Sequence, residues 1–166
     1  MFNPQGNTSR EEAIVLAGRL HKKVLVSKNN LIVSRSSTSR QESVMQSKLA
    51  KLIFQEMGKP YKWGGIGPDG YDCSGLVYSI YGKLGISLPR VSRSQAEVGT
   101  YVSKEKLAYG DLVFFARDGK NINHVGIYVG SGMFVHSPET GDVVKKTTLV
   151  LGYYAKSYYT ARRVIN

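Results

Sequence analysis

An α+β fold, with helices first and an antiparallel sheet after them, is what this 166-residue sequence predicts. Two observations carry that expectation. Apolar residues recur at helical spacing over 45–53 and again over 77–84, and from Asp111 onward they fall at period two or in short runs separated by Gly, Asp and Ser. Alternating βαβ units would interleave the two periods instead. With 42% apolar and 21% charged residues the chain can bury a core, and its length suits one ordinary domain with a short appendage.

Each element has its own signal. Ser9 and Glu12 resemble a capping box and predict a short helix over about 10–20. Val24-Leu25-Val26 and Leu31-Ile32-Val33 flank Ser27-Lys28-Asn29-Asn30, a hairpin signal because Asn tolerates the positive φ of tight turns. Residues 34–43, rich in Ser, Arg, Thr and Gln, read as a linker. The expected division is therefore an appendage over 1–43 and a domain over 44–166. Met45, Leu49, Leu52 and Ile53 predict a helix closed by Gly58 and Pro60, and the glycine-rich stretch 63–70 must be a loop. Val77, Ile80, Tyr81 and Leu84 form an i, i+3, i+4, i+7 stripe ending at Gly85, so a second helix starts close to Cys73. A short helix is expected over 92–98, and strands over 111–116, 124–130, 133–137, 143–148 and 159–165, in a sheet of about five to six strands.

The net charge of +11 is spread along the chain and favours polyanionic partners at low salt, among them anionic wall polymers. No dense Lys/Arg cluster marks a specific nucleic-acid site. The longest apolar runs, 13–17 and 112–116, fall far short of the roughly 20 residues of a membrane-spanning helix. No basic stretch followed by an apolar core marks a signal peptide, so export would need a removed signal or a different route. One cysteine, Cys73, excludes an internal disulfide framework and a Cys-rich zinc site, and neither a metal nor a cofactor is expected. Gly65 to Gly70 formally spells a dinucleotide fingerprint, but Pro68 sits inside it and no βαβ unit surrounds it.

Cys73 has two readings on the residues alone, a small buried hydrophobe or a nucleophile. At a helix start, unpaired backbone N–H groups would lower its pKa, and its neighbours Asp72 and Ser74 are polar. A thiol nucleophile needs a base and an orienter. His21, beside Lys22 and Lys23, reads as a solvated surface residue. His124 and His136 lie on strands joined by Gly130-Ser131-Gly132 and have equal parity, so they share a face and approach each other. Trp63 reads as a core aromatic bracing its loop, Asp111 as a turn residue, and Tyr153, Tyr154, Tyr158 and Tyr159 as a sheet edge or a sugar-stacking platform.

Tyr61-Lys62-Trp63-Gly64-Gly65, Asp72-Cys73-Ser74-Gly75-Leu76-Val77, Leu88-Pro89-Arg90, Gly110-Asp111-Leu112-Val113-Phe114-Phe115, His124-Val125-Gly126-Ile127-Tyr128 and Phe134-Val135-His136 resemble, in that order, the NlpC-type cell-wall peptidases. The resemblance runs from about Val44 to the C-terminus. It implies a papain-like α+β fold in which the nucleophile opens a helix, and an extracytoplasmic, monomeric enzyme acting on bacterial peptidoglycan or its muropeptides. It also implies Cys73 as nucleophile, His124 as base and His136 as third polar residue. Tyr61 would lie near the oxyanion, and Asp72, Ser74 and Ser92 would contact the free amine and acyl group of the stem peptide. Val91 stands where many relatives carry a polar residue. Two other readings stay open: a papain-like amidase, transglutaminase or acyltransferase, and a non-catalytic wall-binding or polyanion-binding module.

Overall fold

Helix α1 covers residues 37–56 in the computed structural model, which describes residues 37–166. The helix expected over 10–20, the hairpin over 24–33 and His21 lie outside the described residues. Residues 37–43 are helical, which corrects the linker expected over 34–43. No Gly or Pro interrupts 37–56, so a helix anchored by buried Leu49 and Ile53 extends through a polar, exposed turn at little cost. Residues Val44–Asn166 form one compact unit.

Helix α2, Cys73–Lys83, is followed by the short α3, Ser92–Gln95, the strand β1, Thr100–Tyr101, and a 3₁₀ turn, Lys104–Lys106. The remaining strands are β2 (Leu112–Phe115), β3 (His124–Tyr128), β4 (Met133–His136), β5 (Lys145–Thr148) and β6 (Tyr158–Arg163), with helix α4 (Gly152–Ser157) between the last two. Together they make one six-stranded sheet in the order β1-β6-β2-β3-β4-β5, with every neighbouring pair antiparallel. The five expected strands are all present. The two-residue β1 and the tyrosine-bearing α4 carry no periodic apolar signal and were not expected.

The period-two pattern distributes each strand between two cores. On β2, Leu112 and Phe114 join Leu76, Val77, Ile80 and Tyr81 of α2, while Val113 and Phe115 join Phe134, Leu149 and Ala161 on the other face. β3 sends Val125 and Ile127 to the first core, and β4 sends Val135 there and Phe134 to the second. Burying both faces explains why Leu112-Val113-Phe114-Phe115 is a continuous apolar run. Asp111 is the turn residue expected: its carboxylate accepts from the Ala108 N–H at 2.7 Å and pairs with Arg163 at 2.8 Å.

One buried acid ties the first two helices to the loop between them. Glu56 of α1 is 2% exposed and accepts from the Tyr71 hydroxyl at 2.7 Å, from Lys83 of α2 at 2.7 Å and from Lys59. Burial alone would raise its pKa, but these three donors outweigh it and hold the carboxyl at about 2.

Candidate active site

Helix α2 begins at Cys73 because Asp72 caps it. The Asp72 carboxylate accepts from the Gly75 N–H at 2.6 Å and also from the Gly64 N–H of the preceding loop at 2.9 Å. Arg90 forks onto both carboxylate oxygens, at 3.0 and 2.7 Å, and donates to the Ser74 hydroxyl at 2.9 Å. Gly75 has to be glycine: a Cβ there would stand 2.0 Å from the carbonyl oxygen of Gly65. The loop and the helix start are thus locked together, with the thiol in the first turn. Buried Gln95, which carries no signal in the sequence, supports this turn from α3 by donating to the carbonyls of Ser74 and Pro89 at 3.1 and 2.8 Å.

The histidine pair is built by the register of the sheet. Ile127 opposes Val135 and Tyr128 opposes Phe134, which places Gly126 opposite His136 and His124 on the diagonal. A Cβ on Gly126 would lie 2.5 Å from the Phe134 ring, so the absent side chain keeps this face open. His124 Nε2 meets His136 Nδ1 at 2.8 Å, and His136 Nε2 meets Thr147 Oγ1 at 2.8 Å. Phe134 opposes Thr147, so three polar side chains run diagonally across β3, β4 and β5. Tyr154 of α4 lies edge-on to His136 at 4.9 Å and tilted against His124 at 5.7 Å, and Phe134 packs on His136 at 4.6 Å. His136 is fully buried.

Cys73 and His124 line one cavity of about 430 Å³, together with Tyr61, Asp72, Ser74 and Ser92. Every residue singled out from the sequence for this site is brought together there except His136, which stands behind His124. Two expectations are corrected. Trp63 is 86% exposed and lines the rim of this cavity, so it braces no core; the glycine-rich loop holds it above the surface. The Cys73 pKa is raised, where a helix start alone would lower it. Burial is the largest cause and the Asp72 carboxylate adds to it, while the N–H groups of Val125, Ser74 and Cys73 itself only partly offset them. Burial also pushes His124 down to about 4, and burial with the neighbouring His124 pushes His136 down to about 3. At neutral pH the site holds a protonated thiol beside two uncharged imidazoles.

Asp72 is placed in the cavity wall, but its oxygens already serve the helix cap, the loop and Arg90. Ser74 shares Arg90, and Val91 is 56% exposed on the same wall. Thr147 is the other site residue that sequence reasoning missed. A threonine in a strand is ordinary, and only the register of β5 against β4 shows that it faces a histidine.

A family model described as the NlpC/P60 family matches residues 58–163. The chain is 42% identical over 118 residues to the murein DD-endopeptidase MepH of Escherichia coli, covering 68% of this chain and 44% of that protein. It is 46% identical over 109 residues to the gamma-D-glutamyl-L-lysine dipeptidyl-peptidase of Bacillus subtilis, covering 64% of this chain and 37% of that protein. Among solved structures, an NlpC/P60 family protein from Bacillus cereus superposes with a TM-score of 0.71 at 39% identity, over 73% of this chain and 40% of that one. The chain spans less than half the length of each of these relatives.

Proposed function

The chain belongs to the NlpC/P60 family, and from that premise we propose that it is a cysteine peptidase hydrolysing amide bonds in peptidoglycan stem peptides, between D-glutamate and the diamino acid. The observation that carries this reading is the 2.8 Å contact between His124 and His136 at the edge of a cavity that Cys73 also lines. Nε2 of His124 is engaged by His136, so Nδ1 is the nitrogen left to serve the thiol. With Thr147 Oγ1 accepting from His136 Nε2–H, His136 Nδ1 is bare and accepts from His124 Nε2–H. His124 Nδ1 is then bare as well, which is the tautomer a general base requires.

In the proposed reaction, His124 Nδ1 takes the thiol proton as Sγ attacks the carbonyl carbon of the D-glutamyl group. The C–N bond breaks, the same proton passes to the leaving amine, and a thioester remains on Cys73. Water then attacks with its proton going to His124, the C–S bond breaks, and the proton returns to Sγ. Backbone N–H groups of the first turn of α2 face the oxyanion, each worth about 3 kcal/mol in acyl-transfer enzymes. Tyr61 adds a further donor: burial raises its hydroxyl pKa, so it stays protonated. Ser74 and Ser92 would hold the acyl part, and Asp72 would reach its amine while anchored by Arg90.

Such a substrate places the working enzyme outside the cytoplasm, where an exposed wall is found. Mass spectrometry of the products from purified muropeptides tests the reading, with Cys73→Ala as control. Free D-glutamyl carboxylate and a new diamino-acid amine are expected only with the thiol present. Transfer of the acyl group to an added amine, without hydrolysis, would make it an acyltransferase instead.

A further inference from the structure

His124 borders two cavities. One contains Cys73; the other, also about 430 Å³, opens between β3 and α4 and is lined by Arg117, Glu139, Tyr153 and Tyr154. They meet at Asn123, His124 and Pro138. In the proposed reaction the acyl part stays on Cys73 while the amine that His124 protonates departs, so the cavity lacking the thiol is the one the leaving fragment enters.

Two opposite charges stand in this second cavity. Arg117 is held by Tyr153, to whose hydroxyl its Nε donates at 3.2 Å and over whose ring it lies at 6.0 Å. These contacts hold the guanidinium at the cavity wall through Nε and the ring face, and its terminal nitrogens take no part in them. Tyr153 in turn packs edge-on against Tyr154, the ring that covers both histidines. Glu139 is exposed in the turn after β4, close enough for its charge to act on Arg117. Among the described residues neither Arg117 nor Glu139 belongs to an ion pair. A ligand satisfying both carries an ammonium and a carboxylate.

We propose that this cavity is the leaving-group subsite, in which Glu139 takes the side-chain ammonium of the diamino acid and Arg117 a carboxylate on the same side chain. The inference rests on the peptidase reading and adds its specificity: a meso-diaminopimelyl residue, which carries both groups, is preferred over lysine, which carries only the ammonium.

The test compares kcat/KM on two muropeptides identical except for lysine or meso-diaminopimelate after D-glutamate. Arg117→Gln should reduce the preference for diaminopimelate three- to tenfold, the range that fits a solvent-screened charge pair. Glu139→Gln should reduce discrimination between the lysine substrate and its Nε-acetylated form by a similar factor. In a Cys73→Ala background, each variant should weaken binding of meso-diaminopimelyl-D-alanine, followed by NMR titration, three- to tenfold. Turnover by the unmodified enzyme with equal losses on all substrates, or with unchanged ratios and unchanged binding, overturns the subsite and leaves the peptidase reading standing. No turnover on either muropeptide sinks the peptidase reading; the titration then decides the subsite alone, and unchanged binding overturns it.

Discussion

Thr147 sits two strands away from the strand of the proposed base, yet in the proposed mechanism it determines which nitrogen of His136 carries a proton. Thr147→Val leaves a buried N–H without an acceptor, a cost of about 1–3 kcal/mol that a flip of the tautomer relieves by disabling the base. We expect kcat to fall about tenfold with little change in KM, Thr147→Ser to restore it, and imidazole ¹⁵N shifts to report the changed tautomer. The two histidines separate in the same way. His124→Ala should be nearly inactive, whereas His136→Asn should keep measurable turnover because an amide oxygen still accepts from His124; the reverse order would exchange base and orienter. The pH dependence follows from the burial of this pair. His124 must be neutral to act and charges only near pH 4, so kcat/KM should hold through pH 6 and be lost as pH falls through about 4. The raised thiol should alkylate with iodoacetamide along a titration lying above that of a free thiol; a plateau near neutrality would instead reveal a resting thiolate and a charged His124. At this scale the sequence displayed the thiol and the parity of the histidines. It hid Thr147, whose role depends on strand register, and it misled on the Cys73 pKa, because burial depends on everything packed over the helix start.

The elements were legible to the extent that their periodicity was their own. α2 and strands β2, β3, β4 and β6 announce themselves because each must bury a stripe or alternate faces, and the two cores take those residues as the pattern predicts; β5 buries none of its own residues and is signalled by its flanks, Val144 and Leu149 being the ones that enter the cores. β1 has two residues and α4 six, too short to show a period, and α4 is held by the aromatic contacts of Tyr154 with Phe115 and Phe134. The linker expectation failed over 37–43 because polar composition is compatible with a solvated helix end whenever Gly and Pro are absent. The junction between α2 and its preceding loop makes a prediction at this scale. Gly75→Ala places a methyl against the Gly65 carbonyl, and backbone on backbone cannot yield as a flexible side chain can. Loss of that docking should cost on the order of 2 kcal/mol, lowering Tm by several degrees and activity by far more than the unfolded fraction explains, since the helix start that carries Cys73 must shift. Normal activity in a destabilised Gly75→Ala protein would show that the thiol is positioned from elsewhere.

At the scale of the whole domain, two charge features govern how it responds to its medium. The first is internal. Glu56 has a carboxyl held at about 2 in the fold against an ordinary value near 4.5, so the fold binds fewer protons than the unfolded chain in that interval. Its stabilising contribution is complete above about pH 4.5 and is lost as pH falls toward 2, and Glu56→Gln should be less stable at neutral pH while lacking that acid limb in a denaturant series. The second is the +11 net charge. A spread positive surface has no geometric fit to a particular polymer, so its attraction to an anionic cell wall must be long-ranged and screened within about 10 Å at 0.1 M salt. Sedimentation of the protein with intact sacculi should therefore fall steeply as salt rises from low to physiological strength, and should do so equally for Cys73→Ala, since the thiol plays no part in it. Cleavage of small soluble muropeptides, which carry few charges and are held inside the cleft, should change little over the same range. This pairing separates tethering from catalysis: parallel loss of both would mean that charge attraction itself delivers substrate to the cleft, and salt-insensitive sedimentation would mean that a specific contact, not the summed charge, holds the protein to the wall.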